Sequence, residues 1–240
     1  LRFRDPVTCL PLPSYDLWEE RHGVSAFTIG AVWAGLVAAG KFAAAFGETE
    51  NADGYTQAAN DLKQATDHYL WCSDEERFVR MLNRQPDGSM LMDDTVDSAL
   101  AGLWLFGMYS PSDPRIVKTM HAVRDRLWVK TEVGGLARYF NDYYHQASSN
   151  LAEVPGNPWF VCTLWLAEWY AETAATDDDL DRALELLTWT CEHALASGVL
   201  AEQVHPYSGD PLSVSPLTWS HSSLITAAHA YLRATDRLRV

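Results

Sequence analysis

Apolar residues in this 240-residue chain recur at helical spacing, and the helical segments come in pairs. Seven segments show the pattern: Ser25–Phe46, Tyr55–Trp71, Asp94–Met108, Asp113–Trp128, Asn157–Thr173, Asp178–Leu195 and Leu217–Ala234. The first helix of each pair starts near residues 25, 94, 157 and 217, at intervals of about 69, 63 and 60 residues. The sequence therefore predicts a repeated αα-hairpin, which either stacks into a solenoid or closes into a ring.

The two helices of each pair differ in composition. The first helices are apolar nearly all the way round, as in AVWAGLVAAG, SALAGLWLFG and VCTLWLAEW, whereas the second helices carry the charged residues. A helix that is apolar on every side is expected to be buried on every side. An inner ring of buried helices and an outer ring of amphipathic ones form an α/α barrel. A closed barrel of this kind needs six hairpins, and three and a half are present here.

One segment does not follow the helical pattern. Residues 77–92 contain two short apolar runs separated by Pro86-Asp87-Gly88, which predicts the one β-hairpin of the chain. With 48% apolar and 21% charged residues, the composition is that of an ordinary globular protein. We expect residues 1–240 to form a single, partial α/α-barrel domain.

The charge balance excludes several classes of partner. The chain has 18 Lys and Arg against 32 Asp and Glu, a net charge of −14, and no basic cluster longer than a pair. This argues against nucleic acid and against anionic membranes as partners. The longest apolar stretch, residues 24–40, includes polar residues and runs into Lys41, so a buried helix is favoured over a membrane span. The compartment stays open, with the cytoplasm favoured.

Metal and redox cofactors are not expected. The four cysteines, at positions 9, 72, 162 and 191, lie far apart and have no Cys/His ligand spacing. The sequence also lacks GxSxG, HExxH, a Walker loop, and a GxGxxG motif after a strand. The His residues are scattered, with no indicated triad.

The loops that lead into the inner helices combine aromatic residues with carboxylates or Arg. These loops are residues 12–23, residues 138–144 leading to 156–159, and residues 200–203 leading to 217–220. Aromatic rings stack on the C–H face of a pyranose, while carboxylate, amide and guanidinium groups bind its hydroxyls. The loops therefore favour a sugar cleft.

Two glutamates in these loops fit hydrolysis of a glycosidic bond. That reaction needs one carboxylic acid to protonate the leaving oxygen and one carboxylate to activate water or attack carbon. Asp16 lies three positions before Glu19, and Glu20 follows it directly. Their negative charges tend to raise the pKa of a neighbouring carboxyl group, which a general acid needs, whereas the positive charge of Arg21 tends to lower it. Glu202 is the candidate partner, but a chain with 32 acidic residues offers many other pairs.

Three motifs, in order along the chain, resemble glycoside hydrolase family 15, the glucoamylase, glucodextranase and acid-trehalase group of inverting α-glucosidases. SYDLWEERHG at 14–23, followed by FTIGAVWAGL, is similar to the family's general-acid segment. GNPWFVCTLWLAEWY at 156–170 is similar to its Asn-Pro-Trp-Phe helix. AEQVHPYSGDPLSVSPLTWSHSSL at 201–224 is similar to its general-base segment.

The resemblance implies a role for each matching residue. These are Glu19 as general acid, Glu202 as general base, Glu20 holding the sugar beyond the cleaved bond, Arg138 and the carbonyl of Leu17 binding glucose hydroxyls, Trp18 and Trp219 forming pocket walls, and Asp16 supporting the acid. The implied reaction is exo-acting, inverting hydrolysis of an α-glucoside or α-glucan with release of β-glucose. An inverting enzyme separates its carboxyl groups by about 6.5–9.5 Å, which leaves room for water.

The resemblance covers about the C-terminal half of the family's catalytic domain. The early hairpins and the β-sandwich domain that precedes them in prokaryotic members have no counterpart in residues 1–240. We expect a fragment, or one half of a split enzyme whose N-terminal half is a separate chain. Because an opened inner ring exposes apolar surface, the 240 residues alone should be inactive and poorly stable.

Three alternatives stay open at this point. The first keeps the mechanism but makes trehalose or isomaltose the substrate. The second is a non-catalytic, glucoamylase-like regulatory or carbohydrate-binding subunit. The third is a helical-repeat scaffold, which would have no affinity for sugar.

Overall fold

The structure, a computed structural model, describes residues 2–239. The seven predicted helices are all present, as α1 Ala26–Ala45, α2 Thr49–Tyr69, α3 Gly102–Leu105, α4 Pro114–Leu127, α5 Phe160–Thr173, α6 Asp177–Glu192 and α7 Thr218–Leu238. The chain divides into two compact units. The first contains the residues up to 95 together with 99–119, and the second contains 96–98 together with the residues from 120 onward. The single domain expected from the sequence stays a prediction.

In the first unit, α1 and α2 form an antiparallel hairpin. Helix α1 begins after Ser25, whose hydroxyl accepts a hydrogen bond from the Thr28 N–H at 3.2 Å. The chain turns after α1 at Gly47, which has a φ of +75° that glycine adopts without strain. The two helices pack along their length, and α1 also packs on α3.

The first unit also contains a four-stranded antiparallel sheet, in the order β1 (Ser14–Tyr15), β2 (His22–Ser25), β5 (Met81–Arg84), β6 (Met90–Asp93). The predicted hairpin is confirmed as β5–β6, whose turn closes through the Gly88 N–H on Gln85 O at 2.9 Å. It is not the only hairpin of the chain, since β1 and β2 extend it. The β1–β2 connection holds residues 16–21, and the sheet fixes both ends of that loop.

Two further strand pairs were not predicted. They are β3 (Trp71–Cys72) with β4 (Arg77–Phe78), and β7 (Gln203–Val204) with β8 (Pro211–Leu212). Each strand has only two residues, too few for a period-2 pattern to be visible in the sequence. The β3–β4 pair shows that residues 77–78 do not belong to the β5–β6 hairpin.

The predicted helix over residues 94–108 is much shorter than expected. A 3₁₀ turn at Ser98–Ala101 is followed by α3, which has a single turn. Residues before it are extended, because Asp97 bridges Tyr139 and Val96 O accepts from the Phe140 N–H at 3.0 Å. These backbone hydrogen bonds to a distant loop outweigh local helix propensity.

In the second unit, α5, α6 and α7 pack against one another. Helix α5 is buried almost throughout, as expected for an inner helix. Helix α6 begins with a capping box, in which Thr176 and Asp179 exchange side-chain and backbone hydrogen bonds. The acidic run Asp177 to Asp179 fills the first turn, where the helix dipole favours negative charge. Alanines in or just after α5, α6 and α7, with Leu180 of α6, form a small apolar cluster.

Burial of α1 differs from the expectation for an inner helix. Val32 is 37% exposed and Phe42 is 68% exposed, and Phe46 just after the helix is 71% exposed. Of the helices within residues 2–239, α1 alone is long and apolar enough to cross a bilayer, judged by length and composition. Only 28% of its most apolar stretch is buried. Burial on every side is therefore not reached for α1 within residues 2–239, and its exposed apolar surface agrees with the expectation for an opened inner ring.

Helices α1 and α3 approach so closely that only glycine fits between them. A Cβ atom added at Gly30 would lie 2.5 Å from Gly102 O and 3.1 Å from the Phe106 ring. We expect Gly30→Ala to lower the free energy of unfolding by about 1–3 kcal/mol, because backbone must move to admit the methyl group. Urea denaturation followed by circular dichroism measures this.

Gly35→Ala is the matched control in the same helix. No atom lies within 4 Å of a Cβ at Gly35, so the added methyl group meets no neighbour. The substitution should raise stability by about 0.5–1 kcal/mol, because alanine favours the helix over glycine. Equal effects of the two substitutions would contradict the close packing of α1 on α3.

Candidate active site

The predicted site residues fall into two groups, one in each unit. Asp16, Leu17, Trp18, Glu19 and Glu20 lie in the β1–β2 loop of the first unit, and Arg138, Glu202 and Trp219 lie in loops and a helix start of the second unit. Their roles in binding and catalysis stay predictions.

Asp16 stabilises the β1–β2 loop by accepting and donating hydrogen bonds within it. Its backbone N–H donates to Arg21 O at 2.8 Å, and its Oδ1 accepts from the N–H groups of Glu20 at 3.0 Å and Arg21 at 3.2 Å. The Glu19 N–H donates to Asp16 O at 3.1 Å. Asp16 is buried, and among residues 2–239 no donor reaches its second oxygen, Oδ2. The acidic loop is thus a compact turn organised by one carboxylate.

Glu19 sits exposed on this turn in a strained backbone conformation. Its φ is +59°, in the left-handed region that non-glycine residues rarely adopt. Such strain costs on the order of 1 kcal/mol and tends to occur at functional sites. Of the two residues next to Glu19 in the chain, Trp18 is buried, and Glu20 forms an ion pair in which its carboxylate lies 3.0 Å from the Arg21 guanidinium. Leu17 is half-buried.

In the second unit, Arg138 is buried and held by a bidentate ion pair. Its Nε and Nη2 donate to the two oxygens of Asp142 at 2.9 and 2.8 Å, and Nη2 also reaches the Tyr139 hydroxyl at 3.2 Å. The guanidinium carbon lies 5.3 Å from the centre of the Tyr144 ring and 4.9 Å from that of Trp159. The guanidinium is therefore fixed in one orientation among aromatic rings.

Glu202 lies on a segment that is tied down on both sides. Its N–H donates to Val214 O at 2.9 Å, and its carbonyl accepts from the N–H of Phe160, the first residue of α5. The Ser213 hydroxyl donates to the Glu202 carboxylate at Oε2, and Ser213 has a left-handed φ of +62°. Glu202 is half-buried, so its carboxylate is oriented but still accessible.

A buried amide pair continues this anchoring beside Glu202. Asn157 Nδ2 donates to Gln203 Oε1 at 2.9 Å and to His145 O at 2.8 Å. Gln203 is also bridged through its backbone to Trp159, the N-cap residue of α5. The segment carrying Glu202 thus has a fixed position relative to the start of α5.

Trp219 occupies the first turn of α7, where it is half-buried. Its ring meets that of Trp165 edge-on, with the centroids 5.7 Å apart. Next to it, the Ser220 hydroxyl donates to Ala201 O at 2.7 Å. Within the second unit, the segment with Glu202 is therefore bonded to the starts of both α5 and α7.

The thiol of Cys162, in the second unit, is not available as a nucleophile. Cys162 is fully buried, burial raises the pKa of its thiol well above the usual range, and Ser98 donates to its sulfur at 3.0 Å. The thiolate form needed for reactivity is therefore suppressed. Among residues 2–239 no group of three His, Cys, Asp or Glu could hold a metal ion.

A shifted pKa outside these loops has a structural cause. Burial, together with the charge of Glu172, raises the pKa of Glu168, which lies within α5. This carboxyl packs among helices instead of lining a loop, so a raised pKa by itself does not identify the site.

Sequence reasoning did not single out three of these side chains for a positioning role: Ser213, Asp142 and Asn157. Asp142 could have been found from its i, i+4 spacing to Arg138, but that spacing indicates an ion pair only where the backbone turns suitably. Ser213 is 11 residues from Glu202, and only the β7–β8 hairpin brings the two together.

Comparison with protein families decides the identity of this chain. Residues 10–190 and 182–229 match the profile described as Glycosyl hydrolases family 15. The chain belongs to this family. The resemblance seen in the three sequence motifs is thereby confirmed.

Curated members of family 15 are considerably longer than these 240 residues. An uncharacterized glycosyl hydrolase of Methanocaldococcus jannaschii is 31% identical over 223 residues, covering 89% of this chain and 33% of that protein. A trehalase of Mycobacterium tuberculosis is 29% identical over 231 residues, covering 93% and 30%. The chain therefore spans about a third of the length of these relatives.

The fold also agrees with that of solved glucoamylases. A crystal structure of a bacterial glucoamylase complexed with acarbose superposes with a TM-score of 0.75 at 24% identity, covering 90% of this chain and 35% of that one. The predicted fold class, helical hairpins of an α/α barrel with a small sheet, is confirmed. At this identity, the superposition informs about fold alone.

The Arg138–Asp142 pair gives a test of the second-unit site. Arg138 and Asp142 side chains are 4% and 1% exposed, so Asp142→Ala would leave a buried guanidinium without its carboxylate. We expect the free energy of unfolding to fall by about 3–5 kcal/mol. Chemical denaturation measures it.

Glu172→Ala provides the control, because Glu172 pairs with the exposed Arg233 on the surface of the same unit. Its loss should cost less than about 1 kcal/mol. If Asp142→Ala cost no more than this control, the buried ion pair would not hold the loop as described.

Proposed function

We propose that this chain provides part of the active site of an inverting, exo-acting α-glucosidase that releases β-glucose. The observation that carries the proposal is the setting of Glu202. Its backbone is bonded on both sides, and its half-buried carboxylate is oriented by the Ser213 hydroxyl. A general base needs this combination of fixed direction and access to water.

In the proposed mechanism, Glu202 removes a proton from a water molecule as the water oxygen attacks the anomeric carbon. The bond to the leaving oxygen breaks at the same time, and Glu19 in its carboxylic acid form supplies the proton that this oxygen needs. One displacement inverts the anomeric configuration. The exposed, strained position of Glu19 on a turn organised by Asp16 supports its role as the acid.

Recognition of the sugar is proposed for the remaining residues of both loops. Trp18 and Trp219 form walls of the pocket, while Glu20, Arg138 and the carbonyl of Leu17 bind hydroxyl groups; of these five, Trp18 and Arg138 are buried and the other three half-buried. Because Asp142 already holds the guanidinium of Arg138 in one orientation, binding of a sugar hydroxyl there costs little conformational entropy. No metal or redox cofactor takes part in the proposed reaction.

We further propose that activity requires helical hairpins beyond these 240 residues, in the same polypeptide or in a separate chain. Two findings support this: the relatives are about three times as long, and α1 exposes an apolar face that includes Val32 and Phe42. The isolated 240 residues should show no measurable glucose release. Robust hydrolysis by this chain alone, purified free of other chains, would contradict this part of the proposal.

A second candidate keeps the same residues and changes the substrate to trehalose. It is supported by similarity to the trehalase of Mycobacterium tuberculosis, which covers 93% of this chain. The sugar class and the residues that would bind it are shared between the two candidates. Isomaltose is a further possibility that the same assay distinguishes.

Hydrolysis by the complete protein tests the function directly. The protein is incubated with maltose, isomaltose, trehalose and soluble starch, and proton NMR follows the anomer of the glucose released. We expect β-glucose to appear first. Glu202→Gln and Glu19→Gln should each lower kcat by at least about 10²–10⁴-fold, because a group that transfers a proton in the transition state is lost.

Ser213→Ala is the graded comparison, since it retains the carboxylate but removes the group that orients it. Its kcat should fall less than that of Glu202→Gln, with a folded circular dichroism spectrum in both variants. Initial release of α-glucose would contradict inversion, and near-normal turnover by Glu202→Gln would contradict the base. Sugar binding by the complete protein without any turnover would favour a non-catalytic subunit.

A further inference from the structure

The second unit has an open cleft of about 520 Å³ between α4, α5 and α6. Its lining contains neither Glu202, Arg138 nor Trp219, so it is separate from the loops described above. A volume of this size is typical of sites for small organic ligands. The cleft therefore requires its own explanation.

The lining combines aromatic rings with charged side chains of both signs. Trp128 and Tyr170 are half-buried, and three cations line the cleft: Arg124 at the end of α4, Lys130 just after it, and Arg182 on α6. Three of the chain's 18 Lys and Arg thus meet in one cleft, although the net charge of the chain is −14.

The charges in the cleft nearly cancel. Arg124 Nε donates to Asp125 Oδ1 at 2.6 Å, and Glu185 adds a second carboxylate to the lining. A lining with both donors and carboxylate acceptors suits a neutral ligand with many hydroxyl groups. A strongly anionic ligand would instead meet two carboxylates at close range.

Several of these groups are held in place before any ligand binds. Arg124 is held by Asp125, and the Arg182 guanidinium lies 5.9 Å from the centre of the Tyr170 ring. The indole of Trp128 packs so closely on Gly134 that a Cβ there would lie 3.1 Å from it. Preorganisation of this kind lowers the entropic cost of binding.

We propose that this cleft is a second carbohydrate-binding site, which takes a short α-glucan chain without cleaving it. Trp128 would stack on a glucose ring, while Arg124, Lys130 and Arg182 bind hydroxyl oxygens and the carboxylates bind hydroxyl hydrogens. The ligand class rests on the proposed function. An α-glucan chain bound in this cleft would be present at a high local concentration for the active site of the same molecule.

Calorimetric titration of the complete protein with maltoheptaose tests this site. The Glu202→Gln background stops hydrolysis, and the test variant adds Lys130→Ala and Arg182→Ala, two exposed substitutions. We expect two binding events in the background and one in the test variant, or a loss of about tenfold in the weaker affinity. Trp128→Ala should act in the same direction if circular dichroism shows it folded.

Arg233→Ala is the matched control, since it removes an exposed guanidinium of the same unit that lies outside the cleft. It should retain both binding events. Unchanged stoichiometry and affinity in the double variant would overturn the proposal. Competition by glucose 6-phosphate that is much stronger than by glucose and that weakens steeply with salt would also overturn it, in favour of an anion site.

The outcomes for the two proposals can be told apart. One outcome is that the Lys130→Ala, Arg182→Ala variant loses one binding event while the complete protein with its native Glu202 hydrolyses none of the substrates. This would support the cleft and reject the proposed catalytic function. The opposite outcome is that the protein with native Glu202 hydrolyses a substrate, while the background and the double variant bind maltoheptaose identically. This would support catalysis and reject the cleft.

Discussion

The hydrogen bond between the buried amides of Asn157 and Gln203 is the contact on which the geometry of the second unit depends. One Asn157 nitrogen serves both Gln203 and the carbonyl of His145, while its oxygen accepts from the Ala147 N–H. Because a buried amide left without partners costs about 1–3 kcal/mol, these segments can hardly slide past one another. Glu202 directly precedes Gln203 in the chain, so its position is set by the same contact.

Strained backbone recurs, in each unit, in the loops that carry candidate site residues. Glu19, Asn141, His145 and Ser213 all have left-handed φ values without being glycine, and each lies in or beside a loop that carries a candidate site residue. Such conformations persist only where surrounding contacts determine them. The rigid helices and short strands supply those contacts, and the loops use them to hold a carboxylate or a guanidinium in one direction.

The two carbohydrate proposals use the same physical chemistry in different ways. Around Arg138, aromatic rings and a buried ion pair fix one cation completely. In the cleft beside α4, half-exposed rings and paired charges leave room for an open chain of sugars. The exposed face of α1 is different in kind, since apart from Lys41 it is apolar and offers packing surface instead of hydrogen bonds.

The sequence by itself determined the helical hairpins, the β5–β6 turn and the family, because helical periodicity, turn residues and motif order are local properties. It could not show that residues 94–97 are extended or that Ser213 reaches Glu202. Those features depend on hydrogen bonds and packing between residues far apart in the chain. Only the tertiary structure decides such contacts, since local preference is weak compared with the burial and pairing of backbone groups.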